Sequence, residues 1–151
     1  MNIKDLKIIK PFDGSFPITQ GYHSKHLGVD WAMPESTPII AVDYACVLKT
    51  GFQKGGYGNY VILRHKWGTS AYAHLSEILV SEGEFVAIGG MVGKSGNTGN
   101  VIGEHGGYHL HFESINIIAG QPIAFDPRPI FKPREEAAFI KCPHCGNKIL
   151  L

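Results

Sequence analysis

Two histidines stand two residues apart in Tyr108-His109-Leu110-His111-Phe112-Glu113. Side chains at that interval share one face of an extended strand, so His109 and His111 project together while Leu110 and Phe112 face the other way. Upstream, His26 and Asp30 are four residues apart. That spacing puts both on one face of a strand and roughly on one face of a helix, and Gly28 and Pro34 favour the strand. Imidazole nitrogen and carboxylate oxygen are zinc ligands, and a catalytic zinc takes three protein ligands and keeps a fourth position for water. His26, Asp30 and one histidine of the His109/His111 pair make such a set. Bound zinc brings the pKa of water to about 7 and polarises a carbonyl, as amide hydrolysis requires. The other histidine of the pair, with His74 in Tyr72-Ala73-His74-Leu75, could then act as general base and oxyanion donor.

The elements that position these residues read as short strands. Leu27–Ala32, Pro38–Val42, Cys46–Leu48, Tyr60–His65, Ser70–Leu75 and the His109 strand running on to Ile118 are β-like runs separated by Gly, Asn or Asp. This cadence predicts an all-β fold, an antiparallel sandwich or barrel. Trp31 and Phe112 alternate with candidate site residues and belong in the core. From Gly89 to Gly107 the chain holds eight glycines, which predicts tight turns and close backbone approach. Gly93-Lys94-Ser95 is not a phosphate-binding loop, because Ile88 stands where that motif needs its first glycine. The lead-in to Ile18, broken by Pro11, Gly14 and Pro17, is expected to wrap the domain edge.

At 151 residues with 44% hydrophobic and 18% charged side chains, the chain is long enough for one domain with a real core. We expect that domain over residues 1–132 and a short tail over 133–151, with a helical turn or two near Pro133–Ala138. A net charge of +1 and a pI near 7.8 build no field for a polyanion, which excludes nucleic acid as the default partner. No apolar run reaches the roughly 20 residues needed to span a bilayer. The start Met1-Asn2-Ile3-Lys4-Asp5-Leu6-Lys7 lacks the apolar stretch of a secretory signal. Three cysteines make no disulfide framework. Cys46 reads as a buried small hydrophobe, and Cys142 and Cys145 form one Cys-x-x-Cys.

His26-Leu27-Gly28-Val29-Asp30, Tyr72-Ala73-His74-Leu75 and His109-Leu110-His111-Phe112-Glu113, in this order with Ser95-Gly96-Asn97-Thr98-Gly99 before the last, resemble the lysostaphin/LytM-type zinc endopeptidases of bacterial cell walls. The resemblance runs from about Ile18 to Pro127. It implies a compact, mainly antiparallel β fold with an open groove, and a zinc held by His26, Asp30 and His111. It implies His109 and His74 beside the attacking water and the scissile carbonyl, and a peptidoglycan peptide, in the stem or the cross-bridge, as substrate. The chain departs from the family between Gly99 and His109, where Asn100–Gly107 makes a longer loop bordering the groove. Glu104 and His105 on that loop could touch substrate or be solvated.

Other residues carry weaker signals. Tyr22 could hydrogen-bond a developing oxyanion or pack on the groove wall. Glu113 could fix the tautomer of an imidazole. His23 and His65 are expected at the surface or a strand edge. Cys142 and Cys145 resemble one knuckle of a zinc ribbon, half of a four-ligand structural site, which a second copy of the chain in a homodimer or a longer protein would complete. The leading expectation is a zinc-dependent peptidoglycan endopeptidase acting on the cell wall. Without a recognisable leader it would be released as a phage lysin is, or have lost its leader. The rival expectations are a non-catalytic wall-binding module of the same fold and an interaction protein acting through the cysteine knuckle.

Overall fold

The alternation that starts at His109 becomes a ten-residue central strand, and the sheet forms around it. The computed structural model describes residues 2–103, 106–134, 139–141 and 148–150. In chain order the strands are β1 (Ile18–Gln20), β2 (Gly28–Ala32), β3 (Pro38–Ile40), β4 (Ala45–Gln53), β5 (Gly58–His65) and β6 (Gly68–Ile78). They continue as β7 (Phe85–Val86), β8 (Met91–Ser95), β9 (His109–Ile118), β10 (Gln121–Phe125), β11 (Phe139–Lys141) and β12 (Lys148–Leu150). The first ten form one sheet: seven run in the order β1-β2-β9-β6-β5-β4-β7, while β10 pairs with β9, β8 with β6 and β3 with β8; β11 and β12 pair separately. Every strand pairing is antiparallel, as the sequence predicts.

Both central strands change partner along their length. β9 pairs with β2 over His109–Glu113 and with β10 over Ser114–Ile118. β6 pairs with β9 as far as Ala73 and with β8 from Leu75 onward. His74 lies at that junction. The sheet parts there, and a side chain can point into the gap.

One face of the β2/β9/β6 unit is the core. Val29 and Trp31 of β2, Leu110 and Phe112 of β9 and Tyr72 of β6 are buried, with Phe112 opposite Val29 and Tyr72 in the pairing register. The Tyr72 and Phe112 rings meet edge to face at 5.2 Å, and Phe12 meets Trp31 in the same way. The lead-in segment therefore supplies core: Leu6, Ile8, Ile9 and Phe12 are all buried, and Ile8 and Lys132 join the two ends of the domain by a backbone bond.

Three expectations change. The glycine-rich stretch contains a strand, β8, held between β3 and β6 with Val92 in the core. Its Gly93 is needed for close approach, since a Cβ there would lie 2.6 Å from the Glu77 carbonyl oxygen. Cys46 is half-buried, because the alternation of β4 turns Ala45 and Val47 inward and Cys46 away. His65, flanked by charged Arg64 and Lys66, is buried rather than superficial.

His65 stacks on Trp67 with ring centroids 4.6 Å apart and planes 4° apart. Its Nδ1 faces the Tyr44 carbonyl at 2.9 Å and its Nε2 the Ser70 hydroxyl at 2.7 Å, and Ser70 in turn meets the Tyr72 hydroxyl at 3.2 Å. A carbonyl can only accept, so Nδ1 carries the proton and Nε2 accepts from Ser70. Burial holds the His65 pKa below its ordinary value, against the opposing pull of Tyr44 and Asp43. A depressed folded-state pKa makes the unfolded chain the better proton acceptor below about pH 6.5. The stability from neutral His65 is present above that pH and lost as pH falls toward the folded-state value. Urea unfolding of chelator-treated protein at pH 7.5 and pH 5 should show a smaller loss of stability for His65→Phe than for the parent. Equal losses would contradict this account.

Candidate functional site

The face of β2 and β9 opposite the core carries the site. In the β2/β9 register Asp30 lies directly across from His111, Ala32 from His109 and Gly28 from Glu113. On the other side of β9, Ala73 and Ala71 of β6 flank His111 and Glu113. Directly paired side chains are about 5 Å apart. A carboxylate and an imidazole thus meet by strand pairing alone, with only small residues beside them.

His26 joins from the tight turn before β2. Its backbone pairs with His23 in both directions at 2.9 Å, and its Nδ1 donates to the Gly21 carbonyl at 2.9 Å. This leaves Nε2 3.2 Å from Asp30 Oδ2. His111 presents Nδ1 to Asp30 Oδ1 at 2.6 Å, while its Nε2 donates to Glu113 Oε1 at 2.9 Å. One ligand atom each from His26, Asp30 and His111 lies within 4.8 Å of the other two.

His109 and His74 stand beside this trio, their ring centroids 4.6 Å apart. Nδ1 of His109 donates to the Gly107 carbonyl at 2.6 Å, and its Nε2 is 3.9 Å from Asp30 Oδ2. His74 occupies a β-bulge, with three steps of β6 from Tyr72 to Leu75 set against two of β5 from Val61 to Asn59. Bulges re-aim side chains. Its φ of 60° is unusual for a residue with a Cβ, and the backbone is held there by a bond from its N–H to the Tyr57 carbonyl at 2.7 Å. Its Nδ1 donates to the Thr98 carbonyl at 2.8 Å. The Ser95–Gly99 turn is thereby a support for His74, and Thr98 also binds Leu75 and Asn59 through its hydroxyl.

Charge in the site is concentrated on Asp30, His111 and Glu113. Burial favours the neutral carboxyl of Asp30, but the His111 hydrogen bond and the nearby imidazoles outweigh it and hold its pKa below the usual value. Glu113 is lowered in the same way, against its burial, by His111 and Tyr57. Burial alone would lower His111, yet the two carboxylates push it up to about 9. Two carboxylates facing one imidazole favour positive charge at this point, as a proton or a divalent cation supplies. His74 goes the other way: burial, helped by His109 and His111, brings it down to about 4 against the pull of Thr98.

His26, Asp30, His74, His109 and His111 line an open cavity of about 340 Å³, with Gln20, Gly56, Tyr57, Asn100 and Ile102 on its walls. Tyr22 is not among the residues lining it. Its hydroxyl donates to the Ala124 carbonyl at 2.9 Å, and its ring packs against the core. His23 is exposed. Glu104, His105, Cys142 and Cys145 lie outside the described residues, as do most of the residues of the turn expected at Pro133–Ala138. Sequence reading missed Tyr57, whose hydroxyl donates to Glu113 at 2.7 Å. The signal was an aromatic residue set among Gly55, Gly56 and Gly58.

Gly28 is required at this site for space. A Cβ on it would lie 2.6 Å from His111 Cε1 and 2.7 Å from the Phe112 carbonyl oxygen. Gly28→Ala should therefore cost about 1–3 kcal/mol, as overpacking does, and push the His111 ring from Asp30. Urea unfolding together with a metal titration checks this. Parent-like stability and metal affinity would contradict it.

A model of peptidase family M23 matches residues 24–125. The peptidoglycan DD-endopeptidase ShyA of Vibrio cholerae is 39% identical over 108 residues, which is 71% of this chain and 23% of that protein. The chain thus spans about a quarter of that relative's length. The solved catalytic domain of the antimicrobial peptidase lysostaphin from Staphylococcus simulans superposes with a TM-score of 0.60 at 30% identity, over 84% of this chain and 92% of that one. A zinc-containing peptidase from Vibrio cholerae gives a TM-score of 0.65 at 28% identity, over 76% of this chain and 37% of the other. With a family match that begins just before His26 and ends at the last residue of β10, this chain belongs to peptidase family M23.

Proposed function

We propose that the chain is a zinc-dependent endopeptidase that hydrolyses peptide bonds of bacterial peptidoglycan at the cell wall. The observation that carries this reading is the convergence of His26, Asp30 and His111 within 4.8 Å beside two further histidines in an open cavity. The donor set fits zinc: two imidazole nitrogens and one carboxylate oxygen are a catalytic zinc's usual three protein ligands. His26 would offer Nε2, Asp30 a carboxylate oxygen and His111 Nδ1. When bound, zinc supplies Lewis-acid polarisation of the peptide carbonyl and of water.

The remaining work is proton transfer. His109 keeps its Nδ1–H on Gly107, so Nε2 is the basic atom. It takes a proton from the attacking water, holds it within reach of the Asp30 carboxylate, and delivers it to the leaving amine. His74 likewise keeps Nδ1–H on Thr98, so its Nε2 accepts in the neutral ring. It accepts a hydrogen bond from water or a substrate N–H while neutral, and donates to an oxyanion only after taking up a proton. The sharply lowered pKa of His74 favours the first of these roles at rest. Asn100 and Ile102 line the cavity in which the peptide would lie.

Cys142 and Cys145 would make half of a second, structural zinc site, completed by another copy of the chain or by a longer protein. The two metals are separable. Zinc per chain and hydrolysis of purified cell walls should be measured in a Cys142→Ser/Cys145→Ser background. There the parent should hold one zinc and cleave walls, His26→Ala should lose both, and His109→Ala should keep the zinc while losing about 10²–10⁴ in rate, the usual worth of a general base. Undiminished hydrolysis by either variant would refute the assignment.

A further inference from the structure

The Glu113 carboxylate has two side-chain partners among the described residues. Its Oε1 accepts from His111 Nε2 at 2.9 Å and from the Tyr57 hydroxyl at 2.7 Å. The residues beside Glu113 in the sheet are Gly28 and Ala71, which have no polar side chain. In the metal-free site both ring nitrogens of His111 donate, Nδ1 to Asp30 and Nε2 to Glu113. A metal would take the place of the Nδ1 proton only while Nε2 keeps its own, and Glu113 is the group that holds that proton. Tyr57 fixes Glu113 in turn. The tyrosine ring is itself fixed, 5.9 Å from the His111 ring and edge to face with Tyr60 at 5.8 Å.

The backbone of Tyr57 serves the other side of the site. Its N–H is held by Gln53 Oε1 at 3.2 Å, and its carbonyl accepts the His74 N–H at 2.7 Å. A single residue in the β4/β5 turn therefore braces His111 through its side chain and His74 through its main chain. We propose that Tyr57 is a positioning residue that acts through Glu113 to hold His111 in the tautomer that ligates metal. This inference rests on the zinc reading above.

The two parts of the residue can be tested apart, because Tyr57→Phe keeps the ring and the backbone and removes only the hydroxyl. Zinc affinity should be measured by competition with a chromogenic chelator for the parent, Tyr57→Phe, Glu113→Gln and the double variant, all in the Cys142→Ser/Cys145→Ser background. Partners of metal-ligating histidines typically change metal affinity about 10–100-fold. Tyr57→Phe should weaken zinc binding about 10-fold, Glu113→Gln by at least as much, and the double variant no more than Glu113→Gln alone. Parent-like affinity in Tyr57→Phe, or independent additive losses, would overturn the proposal, since a merely structural tyrosine lowers the unfolding midpoint without acting through Glu113. A parent that binds no zinc would overturn the zinc reading and this inference together. Zinc bound alike by the parent and both single variants would overturn this inference alone.

Discussion

Asp30 and His111 sit opposite one another in an antiparallel pair, and the rest of the site depends on that register. Strand side chains alternate with a period of two, so a slip of one residue would send Asp30 and His111 to the core and Val29 and Phe112 to the cavity. The hydrophobic face prevents the slip. Val29, Trp31, Leu110 and Phe112 are buried, and their packing with Tyr72 and the lead-in segment fixes which face the polar residues occupy. The chemistry of one face is thus positioned by the apolar packing of the other.

A second constraint acts on protons. Three of the site's four imidazoles, His26, His74 and His109, place Nδ1 against a main-chain carbonyl, at Gly21, Thr98 and Gly107. Carbonyls only accept, so Nδ1 carries a proton in each of these rings and Nε2 is the atom left to face the cavity. His111 is turned the other way, with Nε2 on Glu113 and Nδ1 toward Asp30. The reversal follows from its position: His111 lies in mid-strand, its neighbouring carbonyls are used by the sheet, and a carboxylate two residues along the strand takes the place of a carbonyl.

What was legible in the sequence was what depends on local periodicity. The interval between His109 and His111, the interval between His26 and Asp30, and the placing of Trp31 and Phe112 in the core all follow from strand alternation. His74 is different: its direction depends on a bulge where β6 exchanges β9 for β8, which no local periodicity announces. Tyr57 was illegible because its partner Glu113 lies 56 residues away and meets it only through the folded sheet. His65 matches no family motif and so reads as a surface or strand-edge residue, whereas its burial is decided by Trp67, Ser70 and Tyr44. The glycine-rich stretch reads as turns and close backbone approach, and Gly93 does serve close approach, but inside a strand that the spacing of glycines does not announce.

The central claim is that the working metal is held by this sheet face and not by the cysteines of the tail. X-ray absorption at the zinc edge, on the 151-residue chain carrying the zinc that restores hydrolysis to metal-free protein, tests it most directly. The account predicts a first shell of nitrogen and oxygen at about 2.0–2.2 Å, with imidazole scattering and no sulfur. A shell dominated by sulfur at about 2.3 Å would place the metal on Cys142 and Cys145 and contradict it.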